Sequence, residues 1–430
     1  MRKILKKELE KIKISDEEKL HLDKLSQLAA NTIKLKIKRK SISAEVFVGG
    51  SLAKNTIIQK KEYDIDIFVR FNKNYSEKEI QRLMRKIMFW FKVKGFKTYK
   101  KKVHGSRDYY MVKLKPFHRI SFEIVPSLKI SAPLEARNIT DLSYFHVEYI
   151  NKYLNKNKRI ADEILLAKSF CHAQKCYGAE SYIGGFSGYA IELLICHYKT
   201  FAKFLREIEK AKEQIIIDPE KHYKNKQEIL ANLNESKKHS PIILIDPTFK
   251  ERNATGALSK ETFEKFQKSA REFLKNPSEK FFEYKGIDVQ LLKEKAQEKK
   301  GIFAVFEFKT NKQAGDIAGT KLLKFSKLFS REIAKHFKIE DVEFAYYGAQ
   351  TAEIYYVLER KKENVVVGPS IHHKVAAEGF KAKHKIWYVE EGKIKTMKRT
   401  DLSVKEFLKE FKKMHKSTMR QMGVKKARIV

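Results

Sequence analysis

Asp64 and Asp66, in the run DIDIF, are the sharpest chemical feature of the chain. On a strand, residues i and i+2 share a face, so this pair presents two carboxylates side by side. Such neighbours repel and raise one another's pKa unless a cation lies between them. Magnesium takes oxygen ligands and fills its remaining positions with waters and phosphate oxygens. A third carboxylate on a neighbouring strand would complete a site for two-metal phosphoryl transfer. The run FEIVP supplies one in Glu123, flanked by Phe122 and Ile124. D-x-D alone is equally an ordinary strand with its acids facing water. The balance is tipped by the Gly49-Gly50-Ser51 turn, which twelve residues separate from Asp64. A Gly-Gly-Ser turn opening a short helix offers backbone N–H groups and a hydroxyl to phosphate oxygens. Gly has no Cβ to obstruct a triphosphate. Lys54, one helical turn past Gly50, adds a positive charge. Ile65 and Ile67 alternate with the acids and would bury on the opposite face.

The elements that hold these residues can be read around them. AEVFVGG (44–50) reads as a short buried strand and DIDIFVRF (64–71) as a strand with alternating faces. Ser15 with Glu18 caps a helix that runs to about Lys38, and Ser76 with Glu79 caps a second that ends near Gly95. FKTYKKKVH (96–104), DYYMVKLK (108–115) and RISFEIVP (119–126) read as strands, with a turn at Gly105-Ser106. From about residue 139 the pattern becomes helical over 140–176 and 187–213, broken by GAESYIGGFSGY (178–189). A helix at 260–274 opens a third region. There IFAVFEF (302–308), a helix at 317–337, VEFAYYG (342–348) and EIYYVLER (353–360) form a β-α-β-β run, the pattern of a small ferredoxin-like or RRM-like sheet. Residues 361–430 are Lys-rich and hold a hairpin, KIWYVEEGKIKTMK, around Glu391-Gly392.

Composition narrows the partners. The chain has 91 Lys+Arg against 53 Asp+Glu, a net of +38, which attracts polyanions over long range. A generally Lys-rich proteome is the bland account of that excess, and basic residues in every third of the chain single out no face. With 42% hydrophobic residues, 29 Phe and 19 Tyr, several real cores can form. Only three cysteines occur, Cys171, Cys176 and Cys196, so a disulfide framework is not expected and a reducing cytoplasm is. On a helix, Cys171 and Cys176 would point to different faces, which argues against zinc. MRKILKKELEKIKIS has no long apolar core, so no signal peptide is read there. No run of about 18 apolar residues could span a membrane. The first fifteen residues could lie on a membrane surface as a basic amphipathic helix, but a solvated helix is expected.

VGGSLAKNTIIQKKEYDIDIF (48–68) resembles the signature of the DNA polymerase β superfamily of nucleotidyltransferases. FEIVPS (122–127), YFH (144–146), CYGAESYIGGFSGYAIELLI (176–195) and IDPTFKERNATGALS (245–259) narrow the resemblance to the archaeal, class I CCA-adding tRNA nucleotidyltransferases. It is clear from about residue 10 to 260 and weaker beyond, where VVVGPS (365–370) still fits. The resemblance implies a multidomain α+β chain. Residues 1–139 would be a polymerase β-like nucleotidyltransferase sheet domain and 140–261 a helical domain binding nucleotide and primer. Residues 262–430 would be an RRM/ferredoxin-like α+β body with a basic C-terminal tail, binding tRNA. It also implies the reaction, template-independent addition of C, C and A to the tRNA 3′ end from CTP and ATP with Mg²⁺.

Carried over by position, the metal-binding acids fall on Asp64, Asp66 and Glu123. The family more often shows Glu-x-Asp and then Asp, so the third acid here has the longer reach. Gly50, Ser51 and Lys54 fall on the triphosphate-binding turn, as do His146, Lys168 and Tyr177 from across the cleft. Lys168 sits in the apolar run ILLAKSF, where burial is costly without an anion, and a nucleotide phosphate would supply one. Arg252 falls on the arginine that faces the base. Cytosine and adenine both place an amine donor beside a ring-nitrogen acceptor, and an Arg offers donors only. Paired with an acceptor such as an RNA phosphate, Arg252 could accept C and A and reject U and G. A poly(A) polymerase-like enzyme or a catalytically inactive RNA-binding relative is the rival reading. The class-specific segments argue against the first and the three acids against the second. Homodimers are common in the family, although no residue pattern here announces one.

Overall fold

The computed structural model describes residues 1–116, 119–361, 363–384, 386–399 and 402–430. The chain divides into two compact units, Met1–Tyr284 and Lys285–Val430. The first unit begins with a five-stranded sheet of β1 (Ala44–Val48), β2 (Tyr63–Asn72), β3 (Lys97–Val103), β4 (Tyr109–Lys115) and β5 (Ile120–Lys129), in the order β1-β2-β5-β4-β3. Only the β2–β5 pair is parallel. Ile65, Ile67, Val112, Leu114, Phe122 and Ile124 are fully buried. They share one core with apolar residues of the helices Asp16–Arg39 and Glu77–Met88. Ser15 accepts the Glu18 N–H, and Ser76 with Glu79 forms a complete capping box. The second of these helices stops at Met88, short of Gly95. Its last carbonyls are claimed by ammonium groups, Lys100 on Met88 O and Lys36 on Phe89 O at 2.6 Å each, and cations are favoured at that end of a helix.

A second core lies in the same unit. The helices Ser143–Lys156, Arg159–Ala173, Gly188–Tyr198, Phe201–Lys210 and Lys260–Lys275 pack around Phe170, Phe186, Phe204, Phe266 and Phe273, all fully buried. Each such ring contributes ~1.5–3 kcal/mol by burial. The helix at 260–275 thus adds Phe263, Phe266, Ala270 and Phe273 to the helical core. The N-terminal helix Arg2–Ile12 packs there too, through Leu5 and Leu9. Its Glu8 is buried and accepts a hydrogen bond from Ser169 Oγ at 3.0 Å, so the expected solvated helix is in fact docked. Between these helices lies a small sheet, β6 (Ile215–Ile217), β7 (Ile242–Asp246) and β8 (Phe249–Asn253). The motif IDPTFKERN holds the end of β7, the turn at Pro247-Thr248 and all of β8. The three cysteines are buried and free. No described helix is long and apolar enough to cross a membrane.

In the second unit, β9 (Ile302–Thr310), the helix Asp316–Ile333, β10 (Phe337–Tyr346) and β11 (Thr351–Arg360) follow the β-α-β-β reading. A small sheet comes next, from β12 (Glu363–Ser370), β13 (Tyr388–Glu390) and β14 (Lys393–Arg399), in the order β12-β14-β13. Lys385, the first residue of the hairpin run, lies outside the described residues. Glu391 and Gly392 turn that hairpin, both at positive φ, 50° and 69°, as a tight two-residue hairpin requires. The helices Val404–Met414 and Lys416–Met422 lead to β15 (Val424–Ile429). β15 pairs antiparallel with β9 and completes a sheet of order β10-β11-β9-β15. This is the ferredoxin-like arrangement, and its fourth strand comes from the end of the Lys-rich tail.

Candidate active site

β2 and β5 run parallel in a register that pairs Asp64 with Ser121 and Asp66 with Glu123. The alternation that buries Ile65 and Ile67 turns Asp64 and Asp66 to the other face, with Asp64 exposed and Asp66 half-buried. Glu123 joins them there. Ser121 Oγ donates to Asp64, and the Tyr109 hydroxyl lies 3.5 Å from Glu123 Oε1. Burial, with the Asp64 charge behind it and Lys54 opposing, raises Asp66 to about 6. Burial, then the charges of Asp66 and Asp64, raises Glu123 to about 8. Among the described residues, no three acidic, His or Cys side chains are already gathered tightly enough to hold an ion. Yet the donor set suits a hard divalent cation, because all its oxygens come from mutually repelling carboxylates.

The glycine turn abuts the acids directly. Gly50 has φ +63°, and a Cβ there would lie 1.9 Å from Asp66 Oδ2. A Cβ on Gly49 would meet the Phe68 ring at 2.6 Å, and the Gly49 N–H bonds to Asp66 O at 2.9 Å. Any side chain at Gly50 would be driven into Asp66. Ser51, half-buried, follows in the short helix Gly50–Ala53.

The cations beside this turn and in the helical region are not bare. Lys54 and Lys168 are buried and converge on Glu192, at 2.5 and 2.7 Å. Thr56 Oγ1 also donates to Glu192, at 2.7 Å, and Lys168 donates to Thr56 O at 3.0 Å. Glu192 is fully buried. Burial alone would raise it, but Lys168 and Lys54 outweigh that and hold it at about 2. Burial draws Lys168 down to about 8 against the pull of Glu192. The burial of Lys168 is therefore met by a protein carboxylate, where the sequence pointed to a nucleotide phosphate. Tyr177 stacks on His172, with centroids 4.3 Å apart. A Cβ on Gly188 would lie 2.8 Å from the Tyr177 hydroxyl and 3.9 Å from Lys168 Cε, so a glycine there admits both.

His146 and Arg252 form a second group. His146 Nε2 and Arg252 Nη1 lie 3.0 and 2.6 Å from Asp246 Oδ2, and the Tyr189 hydroxyl donates to Oδ1 at 3.1 Å. The Thr248 N–H and hydroxyl also donate to Oδ1, at 2.9 and 2.8 Å. Burial lowers the His146 pKa against the raising effect of Asp246. The Asp246 carboxyl is held well below its usual range despite burial, by His146 and Arg252. Tyr189 joins the two groups. It stacks on His146 at 4.0 Å, and Lys54 and Arg252 lie over its ring at 5.8 and 5.7 Å. Tyr189, Glu192 and Asp246 were missed in the sequence. The signal for Glu192 was present, a lone acid in AIELLI matching the lone base in ILLAKSF. Tyr189 and Glu192, three apart, share a helix face.

Residues 1–143 match the model of the Second Messenger Oligonucleotide or Dinucleotide Synthetase domain, and residues 162–283 match that of the tRNA nucleotidyltransferase second domain. The CCA-adding enzyme of Methanocaldococcus jannaschii is 30% identical over 91% of this chain and 86% of its own length. The chain belongs to the CCA-adding enzymes. The CCA-adding enzyme of Nanoarchaeum equitans is 42% identical over 51% of this chain, a match that spans about half of that relative's length, 52%. That of Saccharolobus islandicus is 27% identical over 90% of this chain and 86% of its own. Among solved structures, a cytoplasmic RNA terminal U-transferase aligns at a TM-score of 0.49 and 17% identity, over 67% of this chain and 100% of that one. As a CCA-adding enzyme the chain is a tRNA nucleotidyltransferase, in a family that uses divalent metal ions.

Proposed function

We propose that this CCA-adding enzyme extends the tRNA 3′ end with CTP and ATP, that Asp64, Asp66 and Glu123 hold Mg²⁺, and that the nucleotide lies between those acids and the Lys54–Lys168 pair. The observation that carries this reading is the in-register pairing of Asp66 with Glu123 beside Gly50. When bound, the metal supplies a lowered pKa for the attacking 3′-hydroxyl and charge neutralisation for the pyrophosphate. Ser51 and the backbone of Gly50 receive phosphate oxygens. Lys54 and Lys168 take up further phosphate charge, aimed by Glu192. Tyr177, packed against His172, borders the same space, and His146 steadies the Asp246 end of the pocket. Arg252, held by Asp246, presents its remaining donors to the base. Both Asp246 oxygens are occupied by other donors, so the acceptor that pairs with the amine of C or A comes from elsewhere, as an RNA phosphate would.

The catalytic role of residues 1–139, the nucleotide-binding role of 140–261 and the tRNA-binding role of 262–430 are part of the proposal. The basic second unit would hold RNA by shape and phosphates, with a steep salt dependence. Free, buried cysteines suit a cytoplasmic setting. The test incubates the protein with tRNA lacking its last one, two or three nucleotides, Mg²⁺ and one labelled nucleotide at a time. Addition of C to the first two substrates in the series of growth and of A to the last is expected, with none after chelation. Long poly(A) tails, or activity that survives chelation, would refute the reading.

A further inference from the structure

The sheet face that carries the carboxylates continues past β5. Asp66 pairs with Glu123, Glu123 with Met111, and Met111 with Lys101. Alternate residues of a strand share a face, so Lys113 and Lys115 of β4 and Lys97, Tyr99 and Lys101 of β3 lie on the catalytic side. Their neighbours Val112 and Leu114 are fully buried on the other side. Two strand spacings, about 10 Å, separate β5 from β3. Within β3 and β4 no acid occurs on this face. Tyr99 is 43% exposed, with the Lys97 and Lys115 ammonium groups 5.7 and 5.1 Å from its ring centroid.

Lysines on an edge strand ordinarily discourage pairing with another chain. That purpose explains the lysines but not an exposed ring set among them, which makes an edge more adhesive. An aromatic face for a base beside cations for phosphates is the combination that binds single-stranded nucleic acid. We propose that this face of β4 and β3 is a track for the single-stranded 3′ segment of the RNA substrate. In this track Tyr99 stacks on a base, and Lys97, Lys101 and Lys115 hold phosphates. Lys113, 3.3 Å from Glu62, is left out of the phosphate-holding set. The track rests on the nucleotidyltransferase reading given above.

The test compares wild type, Tyr99→Ala, Tyr99→Phe and the double variant Lys97→Ala/Lys101→Ala. C addition to tRNA lacking its last three nucleotides is followed while tRNA and CTP are varied separately. Tyr99→Ala should raise the KM for tRNA about tenfold and leave that for CTP unchanged. Tyr99→Phe keeps the ring and should match wild type. The double variant should lower the slope of log affinity against log salt by about 1–2. An unchanged tRNA KM and salt slope beside an active wild type would overturn the track alone. So would a change confined to the KM for CTP, or a Phe variant as impaired as the Ala variant. A wild type that adds no nucleotide to this tRNA would overturn the underlying reading as well.

Discussion

The two banks of the cleft handle charge in opposite ways. On the sheet side, Asp64, Asp66 and Glu123 stand together with little to neutralise them, and burial and mutual repulsion raise Asp66 to about 6 and Glu123 to about 8. Around Glu192 and Asp246, by contrast, the cations have counter-ions. Glu192 serves Lys54 and Lys168, and Asp246 serves Arg252. The first bank is chemically incomplete and gains from a cation. The second is complete before any nucleotide arrives, so its geometry is set by protein–protein ion pairs. On the proposed reading, a site built this way would fix where phosphates and base go and leave the charge balance open only where a metal would bind.

Mutations should break this asymmetry in a ranked order. Asp64→Ala or Asp66→Ala should reduce both C and A addition by roughly a thousandfold with tRNA binding nearly intact. Activity within about tenfold of wild type would end the metal assignment. Glu123→Gln should be severely impaired, whereas Glu123→Asp, which restores the family's commoner acid, should keep activity. On the other bank, the damage should appear in stability. Glu192→Ala leaves two buried ammonium groups unpaired and should cost ~3–5 kcal/mol, read by denaturant unfolding. Asp66→Ala, which removes a repelling charge, should leave the metal-free protein at least as stable as wild type. A Glu192→Ala protein as stable as wild type would show that the lysines find other partners.

The same asymmetry explains what could be read from the sequence. Asp64, Asp66 and Glu123 were legible because their faces follow from period-two alternation, and alternation is a local property. Gly50 was legible as a residue with room for phosphate. Its contact with Asp66 was not, since that depends on how the turn folds back over β2. Glu192 was missed because a buried acid is recognised by its partners, and these lie 24 and 138 residues away. Asp246 lies only six residues from Arg252, but its tie to His146, 100 residues away, shows only in the fold. The short strand β7 was passed over because IILID is an unbroken apolar run, which periodicity alone cannot assign. In the second unit the β-α-β-β run was legible and its closing strand was not. VKKARI reads as basic tail, and only pairing with β9 makes it β15. Deleting 361–430 would therefore remove a sheet strand along with the basic charge.

The second counter-ion sharpens the comparison at the level of selectivity. Arg252→Ala should lower C and A incorporation about tenfold to a hundredfold, the ~1.5–3 kcal/mol of one charged hydrogen bond, and raise U incorporation relative to them. Asp246→Asn should reproduce part of that loss of selectivity with Arg252 still present, because the Arg would no longer be held in place. If, as proposed, Lys54 meets only the phosphates that all nucleotides share, Lys54→Ala should weaken all four alike. The measurement is steady-state kinetics with each nucleotide on tRNAs of each 3′ length. Unchanged selectivity ratios in both Arg252→Ala and Asp246→Asn would mean that this group holds only phosphate or RNA backbone.

The smallest effect expected is one of pH on the metal-free protein, and here the two banks differ in sign. A carboxyl whose pKa is raised on folding keeps its proton more tightly in the folded state. For Glu123, raised from 4.5 to about 8, the stabilisation is full below the unfolded value and is lost as pH rises through about 8. Glu192, lowered to about 2, contributes stability above 4.5 that is lost only as pH falls toward 2. Between pH 5 and 8 the Glu192 contribution is therefore constant and the Glu123 contribution declines. In chelator, wild-type stability should fall across that range by on the order of 1–2 kcal/mol after allowance for solvent screening. Glu123→Gln, which cannot ionise, should show a flatter profile. Added Mg²⁺ should stabilise wild type more at pH 8 than at pH 5, because the ion binds the deprotonated carboxylates. Parallel profiles for wild type and Glu123→Gln would mean that the acid bank is already neutralised by the protein, and the contrast between the banks would then disappear.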